Sequence, residues 1–456
     1  MVLKKYLALL VVMVLGASVL VGCGQSSSKT AEETTAQEGT TVEPTTGAAS
    51  TEAPKDEYKE STLSLLIDAN ANQAGLDAVC ALAKEKLGIT VEVELKPAGT
   101  DGDNIVKTRL ASGDMSDLLM YNSGSLLAAL NPSDYFIDLS SQPWLDRLDD
   151  TFRGTASVDG ATYGIPFASS GGGGILYSKP IYKELGLEIP KTWDEFLANC
   201  DAIKAAGKTA IVGAFADSWT AQVLYLGDHY NVAAAEPNFA VDFQAGKAKY
   251  ATSVAGLRSW SKLASTTPYY NEDSLATTYN DACEIMATGG AAHWIMLSFA
   301  LSNIYSLHPD KINDIGFFPT PGDNPEDQGI TTWMPAAIYG NKNSDKSEDI
   351  LRFMKFYVSD EALDAYTAAV LPDGPYCIKG YELPDNAYEA VRNDMQPYYD
   401  AGKTETALEF QTAVKGPNCG AICQETVIGK TTAEEAAKAY DDDCLKQAVQ
   451  LGLDWK

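Results

Sequence analysis

The chain has 456 residues, of which 62 are Asp or Glu and 34 are Lys or Arg, so its formal net charge is −28. Such a charge argues against nucleic acids, anionic substrates and anionic lipid surfaces as partners, and it fits a neutral or cationic ligand. The part that we expect to fold begins near Ser61 and spans about 400 residues, which is long for one hydrophobic core and predicts two lobes.

The first segment, residues 1–22, has the composition of a secretory signal peptide. Lys4 and Lys5 precede an apolar run that is too short for a membrane span. The LVGC sequence that ends at Cys23 resembles the lipobox of bacterial lipoproteins, in which the cysteine is acylated and the chain is cut just before it. The resemblance implies a mature protein that begins at Cys23, carries lipid there and has a net charge of −30.

The segment that follows is predicted to be a disordered tether over residues 23–60. From Gln25 to Glu57 nearly every residue is Ser, Thr, Ala, Glu, Gly or Pro. Such a stretch cannot bury enough apolar surface to offset the entropy lost on ordering. Behind a lipid anchor it would act as a flexible spacer.

The next segments alternate between strand and helix patterns. Short apolar runs and hydrophobic alternation predict strands at 62–68, 89–95 and 117–121. The helical spacing of apolar residues predicts helices at 75–88 and 101–114. This β-α-β-α-β order is typical of a parallel open sheet. In such sheets, ligands bind beyond the carboxyl ends of the strands, where the strand order reverses.

Later segments carry clearer helix starts. Thr192 and Glu195 form a capping box, in which each side chain satisfies a free backbone N–H, and the helix should end at Ala206. The same pattern at 432–435 precedes a C-terminal helix that ends near residue 451. Buried strands are predicted at 210–215 and 291–297, and one or two helices at 347–369.

Seven cysteines remain besides Cys23, and their spacing does not match a zinc site. We expect most of them to be small buried hydrophobic residues. Cys419 and Cys423 are close in sequence, and the sequence alone does not decide whether they form a disulfide. No metal site and no cofactor is predicted.

Several blocks of the chain together resemble a known family, the extracellular solute-binding proteins of bacterial ABC importers that bind carbohydrates, including maltose-binding protein. Each block is weak alone, but they follow the family's order: VKTRLASGDMSDLLMYNSG (106–124), DGATYGIPFASSGGGGILYSK (159–179), LGLEIPKTWDEFLANCDAIKAAG (185–207), GGAAHWIMLSF (289–299) and IYGNKNSDKSEDILRFMKFYVSDEAL (338–363).

The resemblance implies a periplasmic-binding-protein-like α/β fold, with two interleaved lobes joined by a three-segment hinge and the ligand in the cleft. Lobe one would hold 61–170 and 319–369, and lobe two would hold 171–318 and 370–456. The run Gly171 to Gly174 falls at the first crossing, where we expect its backbone freedom to serve a hinge.

A sugar packs its C–H face on aromatic rings and needs polar partners for its hydroxyl groups. Family positions and strand ends place such side chains in the cleft. In lobe one the candidates are Asn70, Asn72, Tyr121, Asn122, Ser123, Ser169 and Ser170. In lobe two they are Asp217, Trp219, Ser298 and Phe299, and Trp333 is a further candidate near the hinge, just before the strand that returns to lobe one. Tyr121 also fits a core tyrosine at the edge of the sheet, and Asp217 also fits a helix N-cap.

The sequence carries no catalytic motif such as GxSxG, HExxH or a Walker loop, so we predict that the chain is not an enzyme. Asp441, Asp442 and Asp443 lie within a helical pattern and are expected to form a solvated face.

The predicted function is a lipid-anchored receptor on the extracellular face of a bacterial membrane. It would be a monomer that closes on a sugar or oligosaccharide and delivers it to an ABC permease. Three alternatives stay open at this point: a binding protein for a cationic or peptide solute, a surface glycoside hydrolase, and a sensor that presents its ligand to a membrane kinase.

Overall fold

The structure, a computed structural model, describes residues 60–69, 71, 73–97 and 99–455. The predictions for the signal peptide, Cys23 and most of the tether fall outside the described residues, as do those for Asn70 and Asn72.

The strands, in chain order, are β1 Ser61–Asp68, β2 Ile89–Lys96, β3 Leu118–Tyr121, β4 Ser157–Val158, β5 Ala161–Thr162, β6 Gly164–Pro166, β7 Gly171–Ser178, β8 Thr209–Ile211, β9 Ala291–Leu297, β10 Ile315–Pro319, β11 Ile330–Trp333, β12 Ala337–Gly340 and β13 Thr404–Thr406.

The α-helices are α1 Gln73–Leu87, α2 Gly99–Ser112, α3 Ser125–Ala128, α4 Pro132–Tyr135, α5 Asp150–Thr155, α6 Lys179–Leu185, α7 Trp193–Ala205, α8 Val223–Gly227, α9 His229–Ala235, α10 Phe239–Gln244, α11 Val254–Ser265, α12 Tyr279–Ala287, α13 Ala300–Leu307, α14 Ser347–Tyr357, α15 Asp360–Ala369, α16 Gln396–Asp400, α17 Leu408–Gln411, α18 Cys419–Val427 and α19 Ala433–Gln450. Short 3₁₀ turns lie at Pro143–Arg147, Ser218–Gln222, Thr267–Tyr269 and Pro309–Asp314, and a π-helix lies at Ala390–Met395. None of the helices in this described part of the chain is long and apolar enough to span a bilayer.

The first sheet, which we call sheet one, has the order β2-β1-β3-β12-β6. Strands β1, β2 and β3 run parallel, as the β-α-β-α-β pattern predicted, and β12 runs antiparallel to β3 and β6. One hydrophobic core surrounds this sheet, and we call this part of the molecule lobe one.

The second sheet, sheet two, has the order β13-β11-β7-β9-β8, with β10 also paired to β7. It is buried on both faces, because neighbouring residues along one strand enter different hydrophobic clusters. Ile175 packs in one cluster and Leu176 in the other, and Ile295 and Trp294 divide in the same way. We call this part lobe two.

Two segments differ from the predicted division of the chain. Strand β11, expected with lobe one, pairs with β7 in sheet two. Residues Tyr376, Cys377 and Ile378, expected with lobe two, pack in the core of lobe one. Position along the chain did not reveal these assignments, because strand pairing and side-chain packing decide them.

The glycine run 171–174 lies within strand β7, and none of the four residues has a left-handed φ. Close packing explains three of the four glycines, those at 172–174. A Cβ atom on Gly173 would lie 2.4 Å from the Trp333 ring, and one on Gly174 would lie 2.6 Å from the Phe318 carbonyl oxygen. The structure therefore shows a requirement for space at these three positions, and the hinge role of the run stays a prediction.

Both predicted capping boxes are present, at Thr192 with Glu195 and at the start of α19. Cys419 and Cys423 are both free thiols and lie on the one helix α18, so they do not form the disulfide that the sequence left open.

The solvated face predicted for the three acids at 441–443 is wrong for two of them. Asp441 is buried and accepts hydrogen bonds from the backbone N–H groups of Tyr250 (2.9 Å) and Ala251 (2.8 Å). Asp443 is also buried and accepts from Asn418. Because these carboxylates satisfy backbone donors in neighbouring segments, they have a structural role.

Candidate functional site

The pairing of strands within each sheet shows which strand ends lie at the junction between the lobes. In sheet one, Tyr121 at the end of β3 pairs with Ala337, which pairs with Pro166. In sheet two, Gly171 at the start of β7 pairs with Trp333, the last residue of β11. The chain passes directly from Pro166 to Gly171 and from Trp333 to Ala337. These edges of the two sheets are therefore joined by the crossing segments, and side chains at both edges line the junction.

Three aromatic rings form a cluster at the lobe-two edge. The ring centroids of Trp219, Tyr279 and Phe299 are 5.5 to 6.1 Å apart, with interplanar angles of 32° to 37°. Trp219 is 37% exposed and Phe299 is half-buried. Asp217 fixes the geometry, since its carboxylate accepts a hydrogen bond from the backbone N–H of Tyr279 (2.8 Å). We call Trp219, Tyr279 and Phe299 the ring cluster; it presents an apolar, π-rich surface.

Asp373 brings a carboxylate to the same place from lobe one. It follows α15 and accepts hydrogen bonds from the Ser169 hydroxyl (3.1 Å) and the Ser302 hydroxyl (3.5 Å). Ser302 lies on α13, three residues after Phe299. Asp373 therefore links lobe one to the lobe-two helix that begins beside the ring cluster.

The Asp373 carboxylate lies within electrostatic range of the Tyr279 phenol in the ring cluster. Burial raises the pKa of Asp373, although both serine hydroxyls oppose the shift. Burial is also the main cause of the raised pKa of Tyr279, and the Asp373 charge adds to that shift. A desolvated carboxylate beside aromatic faces can accept hydrogen bonds from a polar ligand that stacks on the rings.

The predicted residues after β3 occupy three different environments. Asn122 is exposed, whereas Tyr121 and Ser123 are each 1% exposed. Among the residues that the structure describes, the Tyr121 and Ser123 hydroxyl groups have no partner at hydrogen-bond distance, although the nearby Asp103 carboxylate contributes to the raised pKa of Tyr121. Because an unsatisfied buried hydroxyl is costly, these two groups are available to a polar ligand or an ordered water.

Two predicted serines are fully buried and bonded to the protein itself. The Ser170 hydroxyl hydrogen-bonds to the Pro375 carbonyl (2.8 Å) and the Tyr399 hydroxyl (2.9 Å). The Ser298 hydroxyl accepts from the backbone N–H of Gly172 (2.9 Å). In this conformation both serines hold the crossing segments together.

Trp333 packs its ring on Gly173 and donates its indole N–H to the Glu409 carboxylate. Next to it the two lobes touch. A Cβ atom on Gly124 would lie 2.3 Å from the Phe410 carbonyl oxygen. Trp333 is therefore half-buried beside a direct contact between the lobes.

The structure thus brings together Trp219, Phe299 and Ser169, with Asp217 behind them. Sequence reasoning missed Tyr279, Ser302 and Asp373. Local signals existed for two of them: Tyr279 is the first helical residue inside a third capping box, formed by Thr278 and Asp281, and Asp373 lies within a Pro/Gly-rich turn. Across the described residues, no three His, Cys, Asp or Glu side chains come together as metal ligands would.

Comparison with known proteins finds similar sequences among proteins that are named sugar-binding proteins. A multiple sugar-binding protein of Streptococcus mutans is 31% identical over 121 residues, which is 26% of this chain and 29% of that protein. The melibiose/raffinose/stachyose-binding protein MelE of Bacillus subtilis is 24% identical over 338 residues, 70% of this chain and 76% of that protein.

Solved structures share the fold. The apo form of RafE from Streptococcus pneumoniae has a TM-score of 0.70 at 20% identity and matches over 84% of this chain and 98% of that one. A structure of SBP RafE in complex with raffinose has a TM-score of 0.66 at 21% identity over 84% and 99% of the two chains. These matches confirm the predicted two-lobed α/β fold.

A family model for the bacterial extracellular solute-binding proteins matches residues 67–364, which is more than half of the chain. Its members are receptors that act outside the cytoplasm, and they are not enzymes. The predicted resemblance and the predicted absence of catalysis are both confirmed, and the chain belongs to the bacterial extracellular solute-binding protein family.

Proposed function

We propose that the chain is the sugar-binding receptor of an ABC importer, tethered to the outer face of the cell membrane by lipid on Cys23. The observation that carries this proposal is the ring cluster beside Asp373. Rings that stack on a sugar face and a carboxylate that accepts from sugar hydroxyls are the two contacts that sugar recognition requires.

The distribution of these contacts between the lobes supports binding by closure. The rings belong to lobe two, whereas Ser169 and Asp373 belong to lobe one. A ligand that touches both sets stabilises the arrangement in which the lobes are close together. The permease would then distinguish the loaded receptor by its closed shape.

The relatives favour an oligosaccharide over a monosaccharide. MelE is named for melibiose, raffinose and stachyose, and the RafE structure holds raffinose. The unpartnered Tyr121 and Ser123 hydroxyls offer further polar contacts for a ligand longer than one ring. We therefore propose a short oligosaccharide as the ligand class.

Binding is tested by calorimetry of the purified chain with raffinose, stachyose and a panel of other saccharides. A ligand present at 100 times its Kd should stabilise the protein by about 2.7 kcal/mol in a parallel unfolding experiment. Absence of any response to saccharides, together with a clear response to peptides or polyamines, would replace the sugar with a charged solute.

The ring cluster is tested with Trp219→Ala. Stacking that buries roughly 50 Å² of apolar surface contributes about 1.3 kcal/mol, so affinity should fall about tenfold. Leu307→Ala is the matched control, because Leu307 is 49% exposed and lies on α13 away from the cluster. If the two variants bind the ligand with equal affinity, the ring cluster is not part of the binding site.

The lipid anchor is tested in cells. The full chain should incorporate a palmitate label and sediment with membranes, and Cys23→Ser should lose the label. Labelling that persists in Cys23→Ser would refute anchoring at this residue without affecting the proposal for the sugar site.

A further inference from the structure

Asp373 has no counter-charge. Its two hydrogen-bond donors are the neutral hydroxyls of Ser169 and Ser302. Within the described part of the chain, no Lys, Arg or His nitrogen lies within 4.0 Å of its oxygens. The titratable groups that face it are phenols: Tyr279 of α12, Tyr366 of α15, Tyr376 and Tyr388.

A second carboxylate beside Tyr279 also lacks a cationic partner among the described residues. Asp217 is half-buried, and one of its oxygens accepts the Tyr279 N–H. It makes no ion pair within the described residues. Tyr279 of the ring cluster is therefore near two carboxylates, and neither of them forms an ion pair within the described residues.

Two other acids in the described residues are more deeply buried than Asp373 and are compensated. Asp228 is 1% exposed and pairs with Lys262 at 2.6 Å. Asp441 is compensated by two backbone N–H groups. A carboxylate that loses water without gaining a cation or strong donors raises the free energy of the closed state.

A ligand can supply the missing charge. A protonated amine placed between Asp373 and the rings would form charge-assisted hydrogen bonds with the carboxylate and a favourable cation–π contact with Trp219 or Tyr279. A neutral hydroxyl satisfies a carboxylate oxygen but leaves the charge uncompensated. A ligand carboxylate would be repelled.

We propose that this site recognises an amino sugar, with the protonated amine on Asp373 and the sugar face on the ring cluster. The inference rests on the proposed function, because it assigns the chemical class of the sugar that the same site binds. It excludes uronic acids as ligands and ranks an amino sugar above its N-acetylated form.

The test uses matched ligands on the full chain by calorimetry at pH 7. The ligands are glucosamine, galactosamine and mannosamine, the di- and trisaccharides of glucosamine, the N-acetylated form of each, and glucuronic and galacturonic acid. We expect at least one amine to bind about tenfold more tightly than its N-acetylated form, since a charge-assisted hydrogen bond is roughly twice as strong as a neutral one.

Asp373→Asn keeps the shape of the side chain and removes its charge, so it should abolish the preference for the amine. Asp146→Asn, at a side chain that is 89% exposed, is the control and should keep the preference. The ligand comparison within the wild-type protein stands even if the Asp373 variant does not fold.

Each outcome decides the inference. Equal or tighter binding of the N-acetylated forms or the uronic acids overturns it. Binding of raffinose without binding of any amino sugar also overturns the inference, but it leaves the proposed sugar receptor supported. Failure of raffinose and every other saccharide to bind would instead refute the proposed function itself.

Discussion

The glycine run in β7 gives a prediction in which two residues of the same run serve as test and control. Gly174→Ala places a Cβ atom 2.5 Å from the Phe317 ring and 2.6 Å from the Phe318 carbonyl oxygen, and the backbone atom cannot rotate away. At Gly171 the nearest atom to a new Cβ is 3.7 Å away, at ordinary contact distance.

Two effects set the magnitudes. Replacing glycine by alanine restricts the unfolded chain and stabilises a compatible site by about 0.4–1 kcal/mol. Overpacking costs about 1–3 kcal/mol. We therefore expect Gly171→Ala to raise the free energy of unfolding by about 0.5 kcal/mol and Gly174→Ala to lower it by about 1–2 kcal/mol.

The assay is urea unfolding followed by tryptophan fluorescence, with ligand affinity measured on the same samples. Because Gly171 lies in a regular strand and has space for a methyl group, Gly171→Ala should bind ligand as the wild type does. Equal stability of the two variants would refute the packing argument, and a large loss of affinity in Gly171→Ala would restore the original idea of glycine as a flexible hinge.

Lys262→Met should lower the free energy of unfolding by about 3–5 kcal/mol in the same urea assay, because it leaves the buried Asp228 without its cationic partner. Adding Asp228→Leu removes the buried charge and should restore most of the lost stability. Asp441→Asn should cost about 1–3 kcal/mol, since its amide nitrogen faces a backbone donor, whereas Asp442→Asn on the exposed side should change stability by less than about 0.5 kcal/mol. Burial raises the folded-state pKa of Asp373, so ionisation destabilises the fold at neutral pH. Wild-type stability relative to Asp373→Asn should therefore rise as the pH falls from the folded towards the unfolded pKa, and a parallel pH profile of the two proteins would contradict this.

The sequence predicted best those elements whose signals are local. Strand β9 has its predicted bounds, and the first three strands and two helices lie within two or three residues of the predicted ones. Hydrophobic periodicity and capping boxes act over a few neighbouring residues, so they can be read without knowledge of the tertiary structure.

Features that depend on contacts between distant segments were missed. The helical pattern around Asp441 showed the direction of each side chain but not that the backbone at Tyr250 packs against it. Asp373 and Ser302 are 71 residues apart, and only the fold brings them to one place. Tyr279 reads as an ordinary helix residue until its ring is found between Trp219 and Phe299.

The division of the site between the lobes connects recognition with closure. A ligand that only stacks on Trp219 contacts lobe two alone and gives no reason for the lobes to stay together. A ligand that also engages Asp373 contacts lobe one, and it does so at the place where the Ser302 hydroxyl already spans 3.5 Å between the lobes. Because desolvation of Asp373 is costly without a ligand donor, closure is favoured only when the right group fills that place. Under the proposed function, the same carboxylate both selects the ligand and makes closure depend on it.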